Sequence, residues 1–175
     1  MDTCVYIDGF NFYYGAVKDT QYKWLDFKEL VSKELSQIGP HYSIIRIKYF
    51  TAYVSSPPYD PQQTQRQETY IKALEDYIPE IEVILGKFRP RSFWAPLVNG
   101  YPHTQIPRDH RNDSWQLKAT VHGQRSGGHV SAFVSRPEEK QSDVNLAVHM
   151  VQDAWELEYQ AAVVVSNDSD LKEPL

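Results

Sequence analysis

Hydrophobic residues along the chain form short compact runs that alternate with stretches of helical periodicity. The apolar runs at 3–7, 81–85 and 161–165 predict buried strands. Between 143 and 156, apolar residues instead recur every three or four positions, which predicts a helix with one buried face. The full pattern predicts strands at 3–7, 44–54, 81–85 and 161–165, and helices at 27–37, 61–77 and 143–156. Strands that alternate with helices indicate an α/β domain with a mainly parallel sheet.

Polar residues mark where the predicted helices begin. Asp26 is followed three positions later by Glu29, which is typical of a capping box at a helix start. Asp60 stands directly before a proline, and proline is favoured at the first position of a helix. Ser142 precedes the third helix. We therefore expect Asp26, Asp60 and Ser142 to cap the three helices.

The segment at 89–136 differs from the rest of the chain because it has little helical periodicity and many prolines, glycines and aromatic residues. A loop of this length without secondary structure is unusual inside a compact domain. We therefore predict one domain over 1–175 that carries an insertion, with short strands at 116–121 and 130–134.

Charge is distributed unevenly along the chain. The formal net charge is -5, which by itself argues against a nucleic-acid partner. The segment 86–136, however, has eight Lys or Arg and two Asp, a local charge of +6 against -11 for the remainder. Local charge matters more than the total for holding phosphate groups.

Composition favours a cytoplasmic protein. No apolar run approaches the roughly 20 residues that a membrane-spanning helix needs. The first residues lack the basic stretch of a secretory signal. A single cysteine, Cys4, excludes an internal disulfide and a multi-cysteine zinc site.

Aspartates follow two of the predicted strands. Asp8 ends the first strand, Asp168 and Asp170 follow the last, and Asp143 begins the helix before it. If the two strands are neighbours, these acids meet at the carboxyl edge of the sheet, where sites form in open parallel sheets. Clustered carboxylates suit Mg²⁺ or Mn²⁺, which could activate water against a phosphate. Taken singly, each aspartate is more typical of a turn or a helix cap.

Three motifs carry a family resemblance. They are Ile7-Asp8-Gly9-Phe10-Asn11, Glu139-Lys140-Gln141-Ser142-Asp143-Val144 and Ser166-Asn167-Asp168-Ser169-Asp170-Leu171. In this order they resemble the NYN domain, the LabA-like branch of the PIN-like nucleases. The resemblance implies a Rossmann-like three-layer sandwich and RNA cleavage that depends on Mg²⁺ or Mn²⁺.

The resemblance also implies roles for individual residues. Asp8, Asp143 and Asp168 match the metal-binding acids of the family, Asp170 matches an outer acid, and Asn11 matches a polar residue that shapes the site. The family fold continues beyond the last motif, whereas this sequence stops at Leu175. We therefore expect the C-terminal part of the fold to be missing.

The basic segment offers candidates for substrate binding. Basic side chains can hold an RNA backbone and aromatic rings can stack on its bases. The candidates are Arg89, Arg91, Arg108 and Arg111. Lys140 could face phosphate or be a solvated residue at a helix start. Trp94 and Trp115 fit a small satellite core, and the spacing of His103, His110, His122 and His129 matches no standard zinc site.

The sequence thus predicts an enzyme, a metal-dependent endoribonuclease with RNA as its substrate and a possible homo-oligomeric state. The alternative is an RNA- or protein-binding module of the same family that lacks turnover. A phosphatase that uses Asp8 as nucleophile is disfavoured, because Phe10 stands where such enzymes commonly carry a second aspartate.

Overall fold

The computed structural model describes residues 1–56, 60–96 and 131–172. The strands are β1 (Asp2–Asp8), β2 (Ser43–Thr51), β3 (Ile81–Leu85), β4 (Lys87–Pro96), β5 (Ser131–Lys140) and β6 (Ala161–Val165). The α-helices are α1 (Gly9–Phe12), α2 (Phe27–Ile38), α3 (Gln63–Tyr77) and α4 (Ser142–Trp155). A π-helical turn (Tyr13–Val17) continues α1, and a short 3₁₀ turn (Ser169–Lys172) follows β6.

Four strands form a parallel sheet in the order β3-β2-β1-β6. The pairing of β1 with β6 confirms that the first and last predicted strands are neighbours. Their register places Ile7 opposite Val165, so the polar residues after both strands emerge at the same edge of the sheet.

Helices cover the two faces of this sheet. On one face, Val5 and Ile7 of β1 pack with residues of α2 and α3, including Phe27 and Leu74. On the other face, alternate β1 residues such as Tyr6 pack with residues of α4. Alternation along a strand sends successive side chains to opposite faces, so β1 contributes to both cores. The predicted Rossmann-like three-layer architecture is confirmed.

Only one of the three predicted helix caps is confirmed. Asp26 Oδ1 accepts a hydrogen bond from the Glu29 backbone N–H at 3.0 Å, as in the predicted capping box. The cap assigned to Asp60 was wrong, because its carboxylate binds the Arg66 guanidinium and the helix begins at Gln63, with Gln62 at the cap position. The cap assigned to Ser142 was also wrong, because Ser142 is the first helical residue.

The predicted insertion is rooted in a two-stranded antiparallel sheet of β4 and β5. This hairpin begins at Lys87 and ends at Lys140, outside the predicted bounds of 89 and 136. Residues 131–134 of the strand predicted at 130–134 belong to β5, whereas residue 130 and the strand predicted at 116–121 lie outside the described residues. Nothing in the described part of the chain is a helix long and apolar enough to cross a membrane.

Candidate functional site

Asp8 is buried at the end of β1, where its carboxylate is bound by its own chain. Oδ1 accepts the backbone N–H of Asn11 at 3.0 Å, and Oδ2 accepts the Asn11 side-chain amide and the Ser166 hydroxyl, the latter at 3.3 Å. The hydrogen bond from the Asn11 backbone caps the N-terminus of α1. Asn11, which was predicted to shape the site, is therefore in direct contact with Asp8.

Asp168 and Asp170 continue this hydrogen-bonded chain after β6. The Asp168 backbone N–H donates to Ser166 Oγ at 3.1 Å, and the Asp170 N–H donates to Asp168 Oδ1 at 3.0 Å. Through Ser166, the structure therefore brings Asp8, Asn11, Asp168 and Asp170 to one corner of the sheet.

Asp143 is an exposed residue in the first turn of α4, where a carboxylate interacts favourably with the helix dipole. Across the described ranges, no three His, Cys, Asp or Glu side chains are grouped so that they could hold a metal ion. Asp8, Asp143 and Asp168 thus do not form a three-carboxylate cage here. Binding of Mg²⁺ or Mn²⁺ stays a prediction.

The candidate substrate-binding residues belong mostly to the hairpin. Arg89 and Arg91 lie on β4 opposite Glu138 and Arg136, and the Arg91 guanidinium lies 5.9 Å from the centre of the Phe93 ring. Lys140 ends β5 opposite Lys87. The other two candidates, Arg108 and Arg111, lie outside the described residues, as do Trp115 and the four histidines His103, His110, His122 and His129. RNA as a partner stays a prediction.

A cavity of about 460 Å³ lies beside the carboxyl ends of β1 and β2, on the face covered by α2 and α3. Its walls are rich in aromatic rings, which include Phe12, Tyr14, Trp24, Phe27, Tyr49 and Tyr70. The ring centres of Phe27 lie 5.0 Å from Phe12 and 5.3 Å from Tyr49, and Trp24 lies 5.6 Å from Tyr70. Volume and lining are both typical of a small-molecule site.

Gly9 is required for the shape of this cavity. A Cβ at Gly9 would lie 2.6 Å from Tyr49 Cζ, 2.7 Å from its hydroxyl oxygen and 2.8 Å from the Phe50 carbonyl oxygen. The absence of a side chain therefore lets the Tyr49 phenol lie against the start of α1. The glycine in the Asp8-Gly9 motif thus has a packing role in the cavity wall.

Tyr49 is 6% exposed, and its hydroxyl has no hydrogen-bond partner within the described ranges. Burial, with smaller contributions from Tyr70 and Asp8, raises the pKa of Tyr49 above its usual value. The phenol therefore stays protonated at neutral pH and can donate a hydrogen bond into the cavity.

Three basic and two acidic side chains line the same cavity. Arg66 binds Asp60 through two hydrogen bonds, so that pair is neutralised. Lys18 and Lys23 have no carboxylate within ion-pairing distance in the part of the chain that the structure describes, and Asp19 is the other lining acid. The lining therefore has a formal charge of +1 in a chain whose net charge is -5.

The opposite face of the sheet holds a sealed polar network. Lys48 Nζ contacts both carboxylate oxygens of Asp153 at 2.9 and 2.6 Å and lies 3.2 Å from His149 Nδ1. The Tyr6 hydroxyl donates to Asp153 Oδ2 at 2.7 Å. Burial opposes ionisation of Asp153, but hydrogen bonds from Lys48 and Tyr6 outweigh it and hold the pKa of Asp153 below its usual value.

Sequence reasoning missed the cavity residues Tyr49, Lys18 and Lys23. One signal was present: seven of the eighteen residues from 10 to 27 are aromatic, too dense a cluster for an ordinary connection. No local pattern could show that Tyr49 and Tyr70 would join this cluster, because they come from a strand and a helix further along the chain.

Comparison with known proteins gives one informative match. The 6-hydroxy-3-succinoylpyridine 3-monooxygenase HspA of Pseudomonas putida (strain DSM 28022 / S16) is 31% identical to this chain over 186 aligned residues. The match covers 97% of this chain and 53% of the relative, so the chain spans about half the length of the curated protein it matches. No protein-family model and no solved structure matches the chain.

This similarity corrects the predicted function. The relative is an enzyme, which agrees with the prediction of an enzyme at the coarsest level. The prediction of a ribonuclease was wrong, because the relative is named for oxidation of a substituted pyridine and not for hydrolysis of a phosphodiester. Two of the aspartates that suggested nuclease chemistry, Asp8 and Asp168, accept hydrogen bonds from nearby backbone groups, an arrangement that capping and turn formation explain.

Proposed function

We propose that this chain belongs to an oxidative enzyme that introduces oxygen into a small aromatic compound. The observation that carries the proposal is its 31% identity, over nearly its whole length, to a protein named as a pyridine-compound monooxygenase. Because the chain spans about half of that relative, we assign to its described part the binding of the aromatic substrate.

The aromatic cavity supports this assignment. Phe12, Phe27 and Tyr49 form a continuous series of ring contacts, and aromatic rings favour offset or edge-on contacts with a further ring. A planar single-ring compound is therefore suited to the cavity. Aromatic walls also exclude water from a bound ring, which limits side reactions during an oxidation.

A monooxygenation must balance its electrons. Position 3 of the substrate named for the relative carries the succinoyl group and no hydrogen, so in the proposed reaction one atom of dioxygen forms the ring C3–O bond while the bond from C3 to the acyl carbon breaks. The acyl group leaves as an aldehyde and the other oxygen atom leaves as water, which requires four electrons and four protons. The proposed reaction therefore uses dioxygen as oxidant and two equivalents of a reduced nicotinamide, each of which supplies two electrons. The role of the described residues is to hold and orient the ring.

An isotope experiment tests the proposal. The chain is incubated with 6-hydroxy-3-succinoylpyridine, ¹⁸O₂ and reduced nicotinamide, with and without added flavin, and the products are analysed by mass spectrometry. We expect substrate-dependent oxygen consumption and one ¹⁸O atom in the product. Oxygen consumption that does not depend on the substrate, with no labelled product under either condition, would contradict the proposal.

Parallel reactions address the metal prediction. Added Mg²⁺ or Mn²⁺ is compared with a chelator, and Asp8→Asn is compared with wild type. Since Asp8 caps α1 beside Gly9, Asp8→Asn is judged only after its fold has been verified by circular dichroism.

A further inference from the structure

Tyr49 has a hydroxyl group that the described fold leaves without a partner. A hydroxyl that is shielded from water usually has a hydrogen-bond partner in a folded protein. Tyr49 is both 6% exposed and part of the cavity wall. A ligand that fills the cavity must therefore supply a polar atom to this phenol or leave it unsatisfied.

The rings around Tyr49 restrict the shape of such a ligand. Phe27 packs against Tyr49 with an angle of 41° between the ring planes, and against Phe12 with an angle of 68°. Trp24 meets Tyr70 at 73° and is itself 65% exposed, so this pair lies toward solvent. These walls favour a planar ring in the cavity, with any flexible substituent directed toward solvent.

Charged side chains in the cavity wall restrict which substituent the ligand can carry. Lys18 Nζ lies 5.1 Å from the centre of the Tyr14 ring, which holds one ammonium group beside the aromatic wall. Lys23 adds a second ammonium directly before Trp24 in the chain. The Arg66 guanidinium is already occupied by Asp60, so these two lysines are the cations left to attract a ligand anion within the described cavity lining.

We propose that the cavity is a binding site for a small aromatic carboxylate, in which the Tyr49 hydroxyl hydrogen-bonds a polar ring substituent and Lys18 and Lys23 pair with the carboxylate. This inference rests on the proposed function for the choice of an aromatic ligand, and extends it by assigning the residues that select charge and ring substituent.

Three related compounds distinguish the contact between the lysines and the carboxylate from the contact between the Tyr49 hydroxyl and the ring substituent. 6-Hydroxy-3-succinoylpyridine carries both the ring hydroxyl and the carboxylate, its methyl ester lacks the charge, and 3-succinoylpyridine lacks the ring hydroxyl. Binding of each to the full chain is measured by titration calorimetry without oxygenation reagents, so that the result does not depend on turnover.

The lysine contact is tested with the double variant Lys18→Gln, Lys23→Gln. Loss of charge-assisted contacts should weaken binding of the acid about tenfold and leave the ester unchanged. Lys33→Gln is the matched control, because Lys33 is an exposed lysine of α2 that does not line the cavity.

The hydroxyl contact is tested with Tyr49→Phe. We expect about threefold to tenfold weaker binding of 6-hydroxy-3-succinoylpyridine and no change for 3-succinoylpyridine. Tyr77→Phe is the control, because Tyr77 is 73% exposed on α3 and does not line the cavity. Urea unfolding of each variant verifies that the fold is retained.

The outcomes distinguish this inference from the proposed function. Equal binding of acid and ester by wild type, or no binding of any of the three compounds, would overturn the inference even if oxygenation occurs. The expected binding pattern without oxygenation would uphold the binding site and overturn the oxidative function. If Tyr49→Phe weakened the binding of 6-hydroxy-3-succinoylpyridine and of 3-succinoylpyridine equally, the role assigned to the Tyr49 hydroxyl would be wrong.

Discussion

Two buried tyrosines on adjacent strands differ in what their hydroxyl groups contact. Tyr6 of β1 points toward α4, is fully buried and donates to Asp153 in the sealed network with Lys48. Tyr49 of β2 faces α2 and α3 and lines the cavity, and its hydroxyl has no hydrogen-bond partner among the residues described. The same side chain is therefore satisfied internally on one face and available for a ligand on the other.

The difference shows how one sheet can separate stability from binding. The Lys48–Asp153 pair is buried beneath α4, where removing one partner leaves an uncompensated charge. On the cavity face, by contrast, the side chains surround a space that a ligand can fill instead of packing fully against one another. Changes on the α4 face should therefore alter stability first, and changes on the cavity face should alter binding first.

The largest expected effect is on the α4 face. Asp153→Asn should lower the free energy of unfolding by about 3–5 kcal/mol, because it leaves the buried Lys48 ammonium without its counter-charge. Urea unfolding monitored by circular dichroism measures this loss. Asp76→Asn is the control, since Asp76 pairs with Lys72 on the exposed surface of α3 and should have little effect. Similar losses for both variants would contradict the distinction.

The next largest change in the free energy of unfolding is expected when Tyr6 is replaced by phenylalanine, and the same substitution at Tyr49 gives the comparison. Tyr6→Phe removes a buried hydrogen bond to a charged group and should cost about 1.5–3 kcal/mol of unfolding free energy. Tyr49→Phe removes no hydrogen bond within the described structure and should leave the urea midpoint almost unchanged. A large loss of stability in Tyr49→Phe would show that its hydroxyl has a structural partner.

Gly9→Ala should disturb the cavity at a moderate cost. The added methyl would meet the Tyr49 ring and the Phe50 carbonyl, and overpacking of this kind costs about 1–3 kcal/mol. We expect a lower urea midpoint together with weaker binding of the aromatic acid. At Gly15 a Cβ would lie 3.1 Å from the end of the Asn167 side chain, which can move aside. Gly15→Ala should therefore change neither property appreciably, and equal effects at both positions would contradict this explanation.

The smallest expected effect is a dependence on pH. The pKa of Asp153 is held below its usual value of 3.8 in the folded protein. Its contribution to stability is therefore fully present above the usual pKa and is lost as pH falls through the folded pKa. The difference in urea midpoint between wild type and Asp153→Asn should be constant near pH 6 and shrink below about pH 4. A difference that does not change between pH 6 and pH 2.5 would contradict the assignment to Asp153.

Features of the fold that depend on local pattern were predictable. The apolar run at 161–165 predicted β6 with its observed bounds, and Asp26 with Glu29 predicted the start of α2. Asp60 does not cap α3, because its carboxylate binds the Arg66 guanidinium. This guanidinium competes with the backbone N–H groups at the start of the helix for the Asp60 carboxylate. Ser142 failed because Gln141 adopts a left-handed backbone conformation between β5 and α4, so the helix starts one residue early.

The candidate site was less predictable than the fold. The sequence placed Asp8 and Asp168 at one edge of the sheet on the condition that the first and last strands were neighbours, and Ser166 does link the two residues. What the carboxylates do depends on which backbone groups reach their oxygens, and residue types alone do not show this. The cavity was harder still, since it requires Tyr49 from β2 and Tyr70 from α3 to converge on the aromatic segment after β1.

The β4–β5 hairpin bears on how this protein can be engineered. Pro96 and Ser131 are paired at its far end, so the chain leaves and re-enters the hairpin at adjacent points. The free energy of closing a loop rises only slowly with its length. A designed segment that joins these two residues therefore has only a short gap to bridge, whatever its length. Because the ring centre of Phe88 near the hairpin base lies 5.3 Å from that of Phe10 in the cavity wall, changes in the hairpin offer a route to alter the shape of the cavity from outside the parallel sheet.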